Sequence, residues 1–506
     1  MLVKTFSSTL YGLSAITITI EVYLGSGINF FLVGLPDNAV KESHQRIKAA
    51  FKSNKLKFPG REITINMAPA DLKKEGSVFD LPIAIGILAV SKQITTDSLS
   101  EYIIVGELSL DGAIQPCKGV LSRTIQAKKE GFKGVIIPEA NYEEVRILTE
   151  IDIIPVKTIN EVIAFLEKRR VYIPHPLIEN ENIINDLPDF KDVQGQNHAK
   201  RAFEIAAAGG HNLILIGPPG AGKSMLAKRM PSILPPLLME EAIETTIIHN
   251  IASRQGSING LLKKRPFRAP HHTISDVALV GGGSAPKPGE ISMAHNGILF
   301  LDELPEFKRN TLEVLRQPLE EGMVSICRAN MTIDFPARFT LIAAMNPCPC
   351  GYSSHPNKKC SCSSHAINRY LSKISGPLLD RIDMHVQVSP IPYLELRSDA
   401  LNESSRNIKK RVLNARRIQE IRYLSNDKGS WNAQMSNPQI KSFCALESEA
   451  NELLALAMTK LNLSARAYSR ILKVSRTIAD LDESEKIATS HIAEAIHYRC
   501  LDRDGK

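Results

Sequence analysis

The sequence predicts an α/β protein in three parts, and three observations carry that expectation. Short β-type runs alternate with helical ones over roughly the first 168 residues. An apolar strand at 211–216 runs straight into a glycine-rich loop followed by a helix-compatible segment. From about 393 onward the chain is rich in Leu, Ala, Arg and Glu and poor in glycine, which is helical composition.

In the first part, residues 17–23 alternate apolar and polar side chains like a half-buried strand, 38–53 read as helix, and 62–67 as strand again. Two further strands, 102–105 and 134–137, flank a helix-like 121–130. The longest apolar run, 81–90, contains Pro82 and Gly86 and falls short of the roughly 18 residues a membrane span needs. The alternation near the N-terminus is also unlike the continuous apolar helix of a secretory signal, so a cytoplasmic protein without a membrane partner is expected. Residues 171–189, with Pro174, Pro176 and Pro188 among Asn and Glu, read as a linker. The expected division is therefore 1–170, linker 171–189, core 190–392 and helical part 393–506.

Bulk properties agree with several folded domains. A chain of 506 residues exceeds what one core usually organises, and 43% hydrophobic with 23% charged residues excludes a mainly disordered protein. The net charge of +8 permits nucleic-acid contact without requiring it. Cys117, Cys327, Cys444 and Cys500 are isolated, as expected of reduced, mostly buried thiols.

The strongest chemical signal lies in the second part. Gly217-Pro218-Pro219-Gly220-Ala221-Gly222-Lys223-Ser224, then Met225, is a complete P-loop in its strand–loop–helix setting. Its backbone N–H groups can cradle the phosphates of ATP, Lys223 reaches the β and γ oxygens, and Ser224 ligates Mg²⁺. Further on, the apolar strand 297–301 delivers Asp302 and Glu303, suited to hold the Mg²⁺ shell and to polarise the attacking water respectively. The strand 340–345 ends in Asn346, an amide placed to sense a γ-phosphate or its water.

Cys348, Cys350, Cys360 and Cys362 follow at once, two C-x-C pairs in one short loop. Four sulfurs match a closed tetrahedral Zn²⁺ site, with His355 and His365 as alternative donors and redox or incidental thiols as the other reading. The segment 263–272 packs four cationic side chains, among them Arg268, together with His271 and His272, and is too irregular for a helix. Gly281-Gly282-Gly283-Ser284 and Lys287 follow it, and a hairpin is expected over 324–335 with Arg328 near its tip and Ala329-Asn330 at the turn. These residues are the candidate DNA contacts, binding the backbone by charge without regard to sequence; a solvated basic loop would have the same composition.

Several motifs together resemble the ComM/YifB group of magnesium-chelatase-like AAA+ ATPases: Phe190-Lys191-Asp192-Val193-Gln194-Gly195-Gln196, the P-loop, Phe267-Arg268-Ala269-Pro270-His271-His272-Thr273-Ile274-Ser275, Pro288-Gly289-Glu290-Ile291-Ser292-Met293-Ala294-His295-Asn296-Gly297, and Asn66-Met67-Ala68-Pro69-Ala70-Asp71-Leu72. The resemblance implies an AAA+ core with a C-terminal helical lid, a homohexameric ring, and a helicase that drives branch migration on single-stranded or branched DNA during natural transformation. It implies that Arg381, in Leu379-Asp380-Arg381-Ile382-Asp383, is an arginine finger for the neighbouring subunit, and that Arg466 is the sensor 2 arginine. A surface salt-bridge cluster is the bland alternative for Arg381, and Arg470 and Arg476 share the helix of Arg466. The basic insert would then enter the ring's pore, beside a pre-sensor 1 hairpin carrying Arg328.

The first part resembles the Lon-protease C-terminal fold through 105–112 and 134–138, but the nucleophile register around 74–80 is not kept. Where the catalytic lysine is due, the nearest match is Arg123, whose guanidinium cannot act as a general base, so a non-proteolytic scaffold is expected. A cationic run, Arg406, Lys409, Lys410, Arg411, Arg416, Arg417 and Arg422, reads as a solvated helix face or a contact surface. A chelatase-type motor acting on a protein partner is the alternative function.

Overall fold

The structure is a computed structural model that describes residues 2–169, 187–253, 260–283, 286–328, 331–353, 355–391, 402–423, 431–499 and 501. Most of the expected linker, the hairpin turn at 329–330 and the side chain of Arg328 lie outside the described residues, as do Ser284 and Cys500. The chain forms two compact units, one of Met1–Ile183 with Ala242–Leu262, the other of Ile184–Glu241 with Lys263–Lys506.

The first unit is built on a seven-stranded mixed sheet. Its strands are β1 (Leu2–Tyr11), β2 (Ser14–Leu24), β3 (Phe30–Val33), β4 (Ile63–Ala68), β5 (Tyr102–Ile104), β8 (Gly134–Pro138) and β9 (Asp152–Val156), in the order β3-β4-β2-β1-β5-β8-β9; β6 (Glu107–Leu108) and β7 (Ile114–Gln115) form a small separate ribbon. The alternation read in 17–23 places Ile18, Ile20 and Val22 inward, each at 0% exposure. Against them lies α1 (Asp80–Val90), in which every residue is buried, as befits a helix that is apolar all round. Gly86 lets it approach the sheet: a Cβ there would stand 2.6 Å from Val22 Cγ2. A second helix, α2 (Val120–Lys129), carries Arg123 into the interior.

One segment of this unit comes from far along the chain. From Ala242 onward, α3 (Met239–Ala252) and the residues after it lay Ile243, Ile247 and Leu261 on the same core, and Asn250 Nδ2 donates to Glu144 Oε2 at 3.0 Å. The Lys118 ammonium also donates to the Ser253 carbonyl at 3.0 Å.

The second unit holds a five-stranded sheet of β10 (Leu213–Ile216), β11 (Phe267–Arg268), β14 (Ile298–Leu301), β17 (Thr340–Met345) and β18 (Met384–Gln387), all parallel, in the order β11-β14-β17-β10-β18. The strand ending at Asn346 thus lies between the P-loop strand and the strand that delivers Asp302. Two-stranded ribbons, β12 (Gly281–Gly282) with β13 (Lys287–Pro288) and β15 (Met323–Arg328) with β16 (Met331–Pro336), project from this frame, and the short helix α4 (Ser364–Leu371) follows the cysteine loop. The segment expected to be non-helical contributes a short strand: Phe267 and Arg268 complete the sheet by pairing with Ile298 and Leu299.

The C-terminal part is helical as expected, around α5 (Ser405–Tyr423) and α6 (Ala465–Leu481). The cationic run on α5 is not simply a solvated face. Arg416 is 6% exposed and stacks on Trp431 at 3.7 Å, Arg422 pairs with buried Asp480, and Arg411 pairs with Glu204 and Glu403. Arg422 thereby ties α5 to α6, and Arg411 ties it to the helix Asn197–Gly209. Among the isolated cysteines Cys444 is buried, but Cys117 is half-buried and Cys327 is exposed, because alternation along β15 turns Val324 and Ile326 inward instead. Among the described residues no helix is long and apolar enough to cross a membrane.

Candidate nucleotide and metal site

Residues at the C-terminal ends of β10, β14 and β17 line one pocket of about 390 Å³. A parallel sheet places binding groups there because strand ends, loops and helix N-termini converge. Gly217 passes so close to the next strand that a Cβ would meet the Val388 carbonyl at 2.1 Å, and Gly222 turns the loop into its helix at φ 87°. The Lys223 ammonium, buried, donates to the carbonyls of Gly217 and Pro218 at 2.7 and 3.0 Å and to Asn346 Oδ1 at 3.1 Å. Burial pushes its pKa below the usual lysine value, with Asp302 and Glu303 opposing that shift.

The Ser224 hydroxyl donates to Asp302 Oδ2 at 2.5 Å, which puts the two oxygens expected to hold Mg²⁺ side by side. Glu303 sits in the left-handed region, φ 52° and ψ 47°, while its N–H donates to Asp302 Oδ1 at 2.9 Å. A glutamate held there stores of order 1 kcal/mol of strain, and its carboxylate is turned outward, 57% exposed. Its neighbour is His272, whose Nδ1 lies 3.3 Å from Glu303 Oε2. Nothing local in the sequence signals that contact, since the two are 31 positions apart.

The candidate DNA residues have distinct settings. Arg268 makes a bidentate pair with Glu290, both contacts at 2.6 Å, so its charge is neutralised within the chain. His271 stacks near His272 at 4.1 Å, and Lys287 is exposed on β13.

The four clustered cysteines do converge. The Sγ atoms of Cys348, Cys350 and Cys360 lie 3.4–3.6 Å apart, and all four sulfurs lie within 4.8 Å of one another. Tetrahedral Zn²⁺ with Zn–S of about 2.3 Å requires sulfurs about 3.8 Å apart, so this donor set fits. Backbone N–H groups of Tyr352 and Ser361 pull the Cys350 thiol down to about 5, while at Cys360 and Cys362 the backbone N–H bonds are outweighed by burial and the neighbouring sulfurs, which push the thiols up. The histidine alternatives do not join: His355 Nδ1 accepts backbone N–H bonds from Asn357 and Lys358. Gly351, at φ 85°, rests against the P-loop, where a Cβ would stand 2.6 Å from Pro219 Cδ.

Arg381 is 6% exposed and folded back, bonded to the Pro377 carbonyl and paired with Glu320, while its Nε has no hydrogen-bond partner. Beside it, Asp380 accepts from exposed Arg466 at 3.1 Å. Arg470 is committed to buried Asp383 at 2.5 Å and Arg476 to Asp480 at 3.0 Å, which leaves Arg466 the outward arginine of the three. Arg466 thus pairs with Asp380, the residue before Arg381, whose own guanidinium is held by Pro377 and Glu320.

Family models match along the chain: magnesium chelatase subunit ChlI over residues 189–396, a further ChlI segment over 20–141, and the ChlI C-terminal region over 402–499. YifB of Escherichia coli (strain K12) is 44% identical over 496 residues, covering 97% of this chain and 96% of that protein. The chain belongs to the ComM/YifB family of magnesium-chelatase-like proteins. Competence protein ComM of Haemophilus influenzae is likewise 44% identical over 504 residues, 98% of this chain and 97% of its own length. The Lon-like character of this family member's first unit has its own counterpart, archaeal Lon protease of Methanocaldococcus jannaschii, 34% identical over 106 residues, 21% of this chain and 16% of the protease. In that unit Arg123 donates to Ser8 Oγ at 3.2 Å and Ser77 to Glu107, so no serine–lysine pair forms from these positions.

Proposed function

We propose that the protein is a Mg²⁺-dependent ATPase that works as a homohexameric ring on DNA, promoting branch migration when incoming DNA is recombined in natural transformation. The observation that carries the ATPase reading is the convergence of Lys223, Ser224, Asp302, Glu303 and Asn346 on one pocket. Lys223 holds the β and γ phosphates, Ser224 and Asp302 keep the metal, and Glu303, oriented by its strained backbone and by His272, polarises the attacking water. Bound Mg²⁺ neutralises charge developing on the phosphoryl oxygens. Arg381 acts on a neighbouring subunit's nucleotide, and Arg466, the outward arginine of α6, contacts the γ-phosphate as sensor 2. The DNA reading is supported by near full-length similarity to a protein named for competence. The cysteine cluster holds a structural Zn²⁺.

The test is the steady-state ATPase rate with single-stranded and branched DNA over a salt series, with Glu303→Gln as the blank. Strong stimulation that collapses as salt rises is expected of a motor on the phosphate backbone. Basal hydrolysis unaffected by any DNA would shift the assignment to a chelatase-type motor remodelling a protein partner, the reading that the ChlI matches favour.

A further inference from the structure

A second pocket, of about 360 Å³, lies beyond the catalytic strand end. Its wall comes from Glu306, Phe307 and Arg309 on one side and from Arg369, Ser372 and Lys373 at the end of α4 on the other. Three cations face one carboxylate. Lys373 shares Glu306 at 3.4 Å, whereas Arg309 and Arg369 make no ion pair among the described residues. The chain around α4 has the same bias, with no Asp or Glu between Cys348 and Lys373.

Convergent guanidinium groups in a concave, carboxylate-poor site recognise phosphate oxygens, for which the planar fork of arginine is suited. The phosphate source follows from the other walls. Phe307, which lines the pocket, is only 4% exposed, so it offers no aromatic face to a base, and the site reads charge alone. Arg268, the guanidinium that the sequence places in the basic insert, is already neutralised by Glu290. Among the described residues Arg369 has no such partner, and Arg309 has only the more distant attraction of Glu313, without an ion pair.

We propose that this pocket binds the phosphodiester backbone of single-stranded DNA. The assignment rests on the DNA reading above and gives it a site. It also ties DNA to hydrolysis, because Glu306 belongs to the single helical turn Leu304–Glu306 whose first hydrogen bond, from Glu306 N–H to the Glu303 carbonyl at 2.8 Å, holds the catalytic glutamate. A phosphate that takes Lys373 removes the one cation paired with Glu306 among the described residues, at the end of that turn.

The experiment measures binding of full-length protein to fluorescent oligothymidylate by anisotropy over a KCl series, for wild type, Arg309→Ala/Arg369→Ala and Arg309→Lys/Arg369→Lys. Each single-strand phosphate contact contributes about 0.7 to the slope of log K against log salt, so losing two lowers it by about 1.4 and weakens binding roughly 10-fold near 150 mM. The lysine pair should retain most of the slope, and Lys373→Gln serves as the second variant if the alanine pair does not fold. Unchanged affinity and slope in the folded alanine pair would overturn the proposal. So would DNA binding that is kept while affinity for a fluorescent ATP analogue falls, because the phosphate would then belong to a nucleotide. If wild type binds no DNA at any salt, the DNA-motor reading fails separately. Inorganic pyrophosphate then probes the pocket in a Lys223→Ala background that silences the P-loop: binding that is lost when Arg309 and Arg369 are also replaced by alanine keeps a phosphate site without DNA, and no binding removes it.

Discussion

Glu320→Gln tests whether Arg381, the proposed arginine finger, is stored or already positioned. In the structure Arg381 is held by Glu320 and the Pro377 carbonyl. Glu320 is 54% exposed, which puts the ion pair in the class worth about 0.2–1 kcal/mol. A single hydrogen bond to a carbonyl adds about 0.5–1.5 kcal/mol. Against these stands the buried Nε with no partner, a desolvation penalty of about 1–3 kcal/mol. The folded-back state is therefore close to energetic balance, whereas an arginine on a transferring phosphoryl group is worth about 10³ to 10⁵ in rate, roughly 4–7 kcal/mol. A neighbour's nucleotide should extract the finger easily. Removing the negative charge of Glu320 then shifts the stored fraction by at most about 1 kcal/mol, a gain of no more than about 5-fold. That gain should appear at protein concentrations where rings are sparse and vanish at saturation, with Arg381→Ala as the inactive reference. The assay is ATPase rate against protein concentration. A fall of about 10-fold or more at every concentration would refute the reasoning and show that Glu320 supports the working position instead.

Replacing Cys360 and Cys362 with serine should abolish bound zinc, measured by elemental analysis of the purified chain at one metal per wild-type monomer; zinc-free wild type sinks the metal assignment. Gly351→Ala should keep its zinc but lose affinity for a fluorescent ATP analogue, because a Cβ 2.6 Å from Pro219 Cδ at φ 85° must displace the P-loop. Unaltered nucleotide binding in that variant would mean the loop yields without cost. Arg470→Ala leaves Asp383, 1% exposed, without its cation and should destabilise the protein by about 3–5 kcal/mol in thermal or denaturant melts. Burial opposes the charge on Asp383, but Arg470 and His211 outweigh it and hold the carboxyl well below its usual range. Its contribution to stability is therefore full above the unfolded carboxylate value of about 3.9 and fades as pH falls toward the folded value. Without Arg470 the folded value rises, so acid unfolding should begin at higher pH, and an unshifted acid transition would contradict the pairing.

What was legible in the sequence is what is local in it. The P-loop and its flanking strand and helix are contiguous, and the Asp302 and Asn346 strands announce themselves as apolar runs that end in polar residues. The all-buried α1 was visible as the longest apolar stretch. The rest depends on partners that only the fold brings close. Glu320 is 61 positions from Arg381, and Gly351 meets Pro219 across 132. The two-residue strand β11 exists only because Ile298 and Leu299 are there to pair with it, so composition, which excluded a helix, could not announce the strand. On α5 the helix was legible, but the run read as a solvated or contact face, and composition could not foretell that Trp431 and Asp480 would take Arg416 and Arg422 into the interior.

The segment Ala242–Leu262 makes the first unit discontinuous, since chain that follows the P-loop completes a core begun at the N-terminus. Severing the chain between 169 and 187 would therefore not release an independent N-terminal piece. The cut fragment would stay attached through the side chains of Ile243, Ile247 and Leu261, in the manner of a split protein that reassembles. An expression boundary drawn at the proline-rich stretch would leave those three side chains without their core, and one drawn to keep the unit whole has to include the helix that the ATPase half supplies.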